Sequence, residues 1–322
     1  RSSYSQKLRF ILKLMNKSTL LILGFLMTAI VAMSQSRVNF QQQMATPTYF
    51  FPELAGWHGG LQVATQYRNQ WPGIPHTFVS YNVNVDGYSN KLHSGFAFNA
   101  IHDRFSTGLI NNNRIEFSWS PKVVATSGLI IMPALSLQYS NTSIDWSQLT
   151  INSIPIYIDP TQMPMSQNVG YLSLGGGLGI IYKEAFGVVH VHDINQPNMS
   201  FYSASESRVP RMYSTTIGRI FTLNNFKLTP SLAYHYSGML NTAILNFNAQ
   251  YKWIYIGTQY RHNNTLGFAV GAEWDCLRFS YSYDITTSRL GNQTLGSHEL
   301  AMRIWLFKDK VKKQFLSNLP LM

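Results

Sequence analysis

A chain of 322 residues is long enough for one large β domain, and its 12% of charged residues is about half the average for a soluble domain, while aromatics reach 14%. The formal charge of +11 points first to nucleic acid, but Arg1, Lys7, Arg9, Lys13 and Lys17 put five of the 25 basic residues, and no acid, before residue 35. The other 20 face 14 acids, a net of +6, with no Lys/Arg run interleaved with aromatics, so nucleic acid is not an expected partner; the lone Cys276 excludes a disulfide framework and a cysteine-based zinc site.

Residues 1–34 read as an upstream segment followed by a cleaved signal peptide. Thr19–Val31 is apolar, Lys13 and Lys17 precede it, and Ala32 and Ser34 stand at the spacing a signal peptidase reads. The run is short for a spanning helix. It places the mature start near Gln35 and the start of translation at Met15, and no cysteine follows to carry a lipid. Residues 35–59, with Pro47 and Pro52, are expected to be a periplasmic lead-in. A transmembrane barrel is expected over 60–307, and a basic periplasmic tail over 308–322, where Lys308, Lys310, Lys312 and Lys313 read as a solvated terminus.

From Gly60 the chain alternates. Leu61–Arg68 and Phe78–Val85 form the first pair, across Trp71-Pro72-Gly73. His93–Ile101, Arg114–Ser120 and Gly128–Tyr139 follow, and Ser140–Met165 then breaks the rhythm as a long loop. Val169–Tyr182 and Phe186–Asp193 precede a second polar loop, Asn195–Ser207. Tyr213–Phe221, Phe226–Ser237, Ala243–Tyr251, Trp253–Arg261 and Leu266–Trp274 lead to Leu277–Ile285, and His298–Phe307 closes the series. In Leu277–Ile285 the odd positions are apolar or aromatic, and Arg278, Ser280, Ser282 and Asp284 occupy the even ones. Successive side chains of a strand point to opposite faces, so each segment is a ribbon with one greasy and one wet side.

About fourteen strands of about ten residues match what a tilted strand needs to cross a membrane. Asn224-Asn225, Ser237-Gly238 and Asn263-Asn264 read as short turns, with long loops in alternate gaps. A soluble sandwich could bury the aromatic faces but would carry more charge outside. The expected fold is therefore all-β, an antiparallel outer-membrane barrel. Its polar faces should gather a lumenal charge network of Arg114, Glu116, Arg278, Asp284, Glu299 and Arg303, with Arg114 beside Glu116 and Glu299 near Arg303, and with Arg68 joining it.

Enzymatic signatures are sparse. His190 and His192, followed by Asp193, have a spacing metal sites use, but no third ligand can be placed, and Val189 and Val191 make this an ordinary strand. The Gly175–Gly179 run lacks a strand–turn–helix context, so its glycines are read as relieving crowding or easing curvature. There is no Gly-x-Ser-x-Gly elbow. Asp145 and Asp159 sit in the long loop without a partner pattern. Neither an enzyme, a cofactor nor a metal is expected.

Six segments carry a family resemblance: Pro52–Gly60 (PELAGWHGG), Tyr67–Pro75 (YRNQWPGIP), Gly95–Ser106 (GFAFNAIHDRFS), Asp145-Trp146-Ser147, Gly175–Tyr182 (GGGLGIIY) and Gly296–Leu300 (GSHEL). In this order, from about Gln41 to Phe307, the chain resembles the PorP/SprF family of type IX secretion outer-membrane proteins. The family's Asn-Pro-Ala-Tyr-Ala-Gly block stands here as Phe51–Gly56 (FPELAG), keeping Pro52, Ala55 and Gly56. The resemblance implies a barrel in outer-membrane lipid that works with periplasmic ring components, in some members for an adhesin-like cargo or for gliding. Tyr67, Arg68, Asn69, Gln70, Trp71, Pro52, Gly56, Asp145 and Trp146 are its signature or partner-binding positions. The alternative classes are a diffusion channel or hydrophobic-solute transporter, and a surface adhesin acting through Ser140–Met165.

Overall fold

The computed structural model describes Arg37 and residues 40–74, 78–126, 128–146, 150–151, 154–155, 167–202, 206–238, 240–262, 265–287 and 294–306. The expected signal segment, the tail 308–322 and the Asp159-Pro160 pair lie outside the described residues.

Fourteen antiparallel strands close on themselves. They are β1 (Leu61–Gln70), β2 (Phe78–Ser89), β3 (Ser94–Phe105), β4 (Ile110–Pro121, continued by Val123–Thr126), β5 (Leu129–Ile144), β6 (Asn168–Tyr182) and β7 (Ala185–His192). The second half comprises β8 (Met212–Arg219, continued by Phe221–Leu223), β9 (Phe226–Ser237), β10 (Leu240–Tyr251), β11 (Ile254–Arg261), β12 (Thr265–Trp274), β13 (Leu277–Thr286) and β14 (Ser297–Leu306). Each strand pairs with its sequence neighbours, and β1 pairs with β14 from Leu61↔Leu306 to Gln70↔Ser297, which removes both free edges.

The alternation decides which face looks out. On β4, Ile115, Phe117 and Trp119 are exposed, whereas Arg114, Glu116, Ser118 and Ser120 are buried. Leu135, Leu137, Leu172, Leu174 and Leu245 continue the outward apolar band. Tyr182, Tyr251, Trp253 and Trp274 stand at one rim, and Tyr139, Tyr213, Tyr236 and Tyr260 towards the other, as aromatic girdles.

Two-residue links such as Lys183-Glu184, Asn224-Asn225, Lys252-Trp253 and Asp275-Cys276 join strands at one end. The segments after β5 and β7 are the longest at the other, and outer-membrane barrels keep long loops outside and short turns in the periplasm. Ser237-Gly238, expected among the short turns, is on the long-loop rim. The expected loop Ser140–Met165 begins later than its composition suggests, because Ser140–Ile144 continue β5 in register with Arg114–Ile110 of β4. Similarly, β4 begins at Ile110 rather than Arg114: Asn111, Asn112 and Asn113, poor strand formers, are held by pairing with β3.

The expected periplasmic lead-in requires a correction. Its described residues, Arg37 and 40–59, lie inside the barrel. Two 3-10 turns, Pro47–Tyr49 and Pro52–Leu54, each open on a proline whose missing N–H costs nothing at that position. Phe40, Tyr49, Phe50, Phe51, Leu54 and Trp57 are at most 1% exposed and share a core with Ile101, Ile130, Met132, Ile181, Phe186 and Val188 of the inner wall. Burial of these rings outweighs solvation of a linker, at about 1.5–3 kcal/mol for each large apolar side chain.

Candidate functional site: the lumen and its plug

Much of the inward face of the barrel is polar and cannot be left dry without partners. The plug supplies many of them. Glu299 of β14 accepts the backbone N–H groups of Gln41 (2.7 Å) and Gln42 (2.9 Å), and Arg68 donates to the same carboxylate at 3.2 Å. The other arm of Arg68 reaches Asp284 at 2.7 Å. Four residues along β14, closer to the short-turn rim, Arg303 donates to the carbonyls of Met44 and Ala45. Glu299 and Arg303 therefore hold opposite polar groups of the same short stretch of backbone.

Further round the wall, Arg37 binds Glu116 (3.0 Å), Gln138 (2.7 Å) and the Tyr49 carbonyl. Asn82 and Asn84 donate to the hydroxyls of Thr46 and Thr48 at 3.0 and 2.8 Å. Gly56 donates its N–H to Asp86 at 3.0 Å. Its φ of 68° suits glycine, and a Cβ would sit 2.8 Å from the Gly87 carbonyl. Opposite it, a side chain at Gly95 would strike the Ala55 carbonyl.

The expected ion pairs are rearranged. Arg114 pairs with Asp103 at 2.6 Å rather than with Glu116, which Arg37 takes. Glu299 pairs with Arg68 and not Arg303. Arg278 pairs with Glu273 and lies over the Tyr255 ring at 5.1 Å. The reason is reach: residues two or four apart on one strand share a face, but a plug partner or a cross-strand one, directly opposite as for Arg68 and Glu299 or diagonal as for Arg114 and Asp103, is closer.

His190 and His192 point inward with rings 4.3 Å apart. Each is already engaged: His190 Nδ1 lies 2.7 Å from Glu53 of the plug, and His192 Nε2 donates to the Phe50 carbonyl at 3.2 Å. Among the described residues no group of three or more His, Cys, Asp or Glu side chains could hold a metal ion. Ser136 Oγ lies 3.3 Å from His190 Nε2, giving the serine–histidine–carboxylate order of a hydrolase. All three are buried, and a methyl at Gly175 would collide with both Ser136 Oγ and His190 Nε2, so there is no room for a scissile carbonyl. The trio anchors Glu53. The glycines of β6 make that possible, since a side chain at Gly177 would collide with the Glu53 carboxylate.

The signature positions divide. Pro52 and Gly56 are in the plug, and Arg68 is at its clasp. Trp71 leaves β1 at φ 62°, donates its indole N–H to Thr286 at 3.2 Å and meets Phe78 edge-on, while its backbone N–H binds the Gly296 carbonyl. Tyr67 faces outward against Tyr81 at 5.2 Å. Asn69 and Gln70 are half-buried at the end of β1. Asp145 and Trp146 do not join the plug: Asp145 is exposed on the long-loop rim, its N–H bound to the Leu109 carbonyl. Sequence reasoning missed Gln41, Gln42, Thr46 and Glu53; the aperiodic apolar cluster Tyr49–Trp57 was the available signal.

A closed barrel with a lipid-facing apolar band, aromatic girdles and a lumen filled by polar side chains and the plug is an integral outer-membrane β-barrel protein. The family described as "Type IX secretion system membrane protein PorP/SprF" matches residues 32–304, and the chain belongs to it. Its place is the outer membrane. No curated protein matches. Among solved structures, the Acinetobacter baumannii outer membrane protein Omp33 is similar at 6% identity and TM-score 0.48, over 77% of this chain and 98% of that one. The CymD monoaromatic hydrocarbon channel gives 10%, 0.48, 84% and 93%, and the KdgM porin 8%, 0.37, 76% and 99%. These similarities carry no argument about what this chain binds.

Proposed function

We propose that this protein is a non-enzymatic component of the type IX secretion apparatus that anchors or contacts periplasmic ring subunits through its short-turn rim, and serves export of a cargo such as an adhesin. What supports this reading is a lumen filled by the chain's own residues, which leaves the rims as the surfaces open to partners. Conduction of folded cargo through the barrel is disfavoured on the same ground, and fourteen strands enclose little space for it. The signature residues at Tyr67–Trp71 act in this reading by fixing the barrel and its plug, with partner contact secondary.

The test is affinity purification of the tagged chain from mildly solubilised membranes, together with secretion in a strain lacking it. Co-purification of periplasmic components and retention of cargo in the periplasm are expected. Normal secretion without the protein would overturn the proposal. A transporter would instead restore solute uptake when expressed alone, and an adhesin would lose attachment, but not secretion, when Ser140–Met165 is trimmed.

A further inference from the structure

The plug has two unlike halves. Tyr49–Trp57 packs its rings and Leu54 against an apolar wall that includes Ile130, Met132, Ile181, Phe186 and Val188. Gln41–Thr46 crosses the wall of β11–β14, β1 and β2, where Gln259, Ser280, Ser282, Glu299, Gln66 and Asn82 point inward. Its hold is largely hydrogen bonding: Gln259 donates to the Gln41 carbonyl at 3.0 Å, Gln66 to the Gln42 carbonyl at 2.9 Å, and Glu299 and Arg303 clasp the backbone between.

Three further observations mark this half as the looser one. Within residues 40–57 only Met44 and Ala45 are half-buried rather than buried. Cavities of about 30, 10 and 20 Å³ flank the stretch, all touching Met44. Both ends are fixed independently, by the edge-on contact of Phe40 with Tyr49 at 5.6 Å and by the hydrogen bond from Asn84 to Thr48. Lifting Gln41–Thr46 exchanges protein hydrogen bonds for water ones, each a modest net loss and a larger one at Glu299 and Arg303, so openings are rare. Lifting Tyr49–Trp57 would in addition wet five large apolar side chains.

We propose that Gln41–Thr46 is a releasable strap, and that with it lifted the barrel passes water and small ions along β11–β14, β1 and β2 while Tyr49–Trp57 stays packed. The passage is a second function, independent of the secretion reading. A polar wall with paired charges, cleared of one short segment, is a conductive path; the wall of β3–β7, which also carries polar groups, stays covered by Tyr49–Trp57.

The full chain is tested in planar bilayers against Gln41→Pro/Gln42→Pro, which removes both N–H donors to Glu299. Folding of each is checked by heat-modifiable mobility in detergent gels. Rare, brief openings are expected of the unaltered protein and sustained conductance steps of the variant; a folded variant as silent as its parent overturns the proposal. A second measurement does not depend on that variant. In a Cys276→Ser background, Ser282→Cys should react with a membrane-impermeant thiol reagent faster than Val188→Cys by an order of magnitude. Equal protection at the two positions, or equal reaction, overturns the two-part plug.

Discussion

Arg68 is shared by two carboxylates in a site where all three side chains are at most 2% exposed, and this makes its charge testable by a double substitution. In Arg68→Met, Asp284 loses its ion-pair partner and faces Glu299 with Arg261 as the cation still acting on both. Breaking a buried pair in this way costs about 3–5 kcal/mol. In Asp284→Leu, Arg68 keeps Glu299, and the loss is one charge-assisted hydrogen bond, about 1.5–3 kcal/mol. Independent effects would put the double variant at about 4.5–8 kcal/mol. We expect it instead to be more stable than Arg68→Met alone. Removing Asp284 relieves the repulsion, and Glu299 retains the N–H groups of Gln41 and Gln42. The assay is reversible guanidinium unfolding in short-chain phosphatidylcholine vesicles, followed by tryptophan fluorescence. A double variant at the sum of the singles would show that Arg68 acts by packing, and the electrostatic account of the clasp would fall.

Gly95→Val drives a side chain into the Ala55 carbonyl; overpacking of about 1–3 kcal/mol should push the plug outward, read as new protease cleavage within 40–60 of a still-folded barrel. On the lipid face, Leu137→Arg, near the middle of β5, should cost about 2–4 kcal/mol in the same unfolding assay, and Leu223→Arg, by the short-turn rim, about 0–1. Equal costs would refute the placement of the apolar band. His190→Leu strips Glu53 of its imidazole and should cost about 1.5–3 kcal/mol, whereas Ser136→Ala should cost no more than about 1.5. The reverse order would mean that the serine, and not the carboxylate, is what the histidine serves.

Most of the wall was legible because a period of two needs only the residues themselves. Phe226–Ser237 has the same bounds in sequence and structure. Errors fall where pairing overrides composition, as at Asn111–Asn113, which β3 and β5 hold extended on either side. The charge network was legible as a set of inward positions but not as pairs. Pairing depends on what stands across the strand or across the lumen, and the lumen's occupant was read as a linker. Tyr49–Trp57 has no period and two prolines flank its aromatic triplet, so periodicity did not distinguish a lead-in from a plug. The apolar excess of Tyr49-Phe50-Phe51, Leu54 and Trp57 did, since a solvated linker has no use for it.

The plug also explains why segments far apart in the chain have unusual residues. Gly95 opens β3 where Ala55 passes, the β6 glycines clear space for Glu53 and His190, and Glu299 near the start of β14 meets Arg68 of β1 across the closing seam. The same seam is fixed at its outer end by Trp71 on the Gly296 carbonyl. β1 and β14 are the first and last strands, and their charges meet only once the sheet closes. Glu299 cannot hold Gln41 and Gln42 in an open sheet with Arg68 at the far edge. Closure of the wall thus completes the seat on which the strap rests, which ties a filled lumen to a finished barrel.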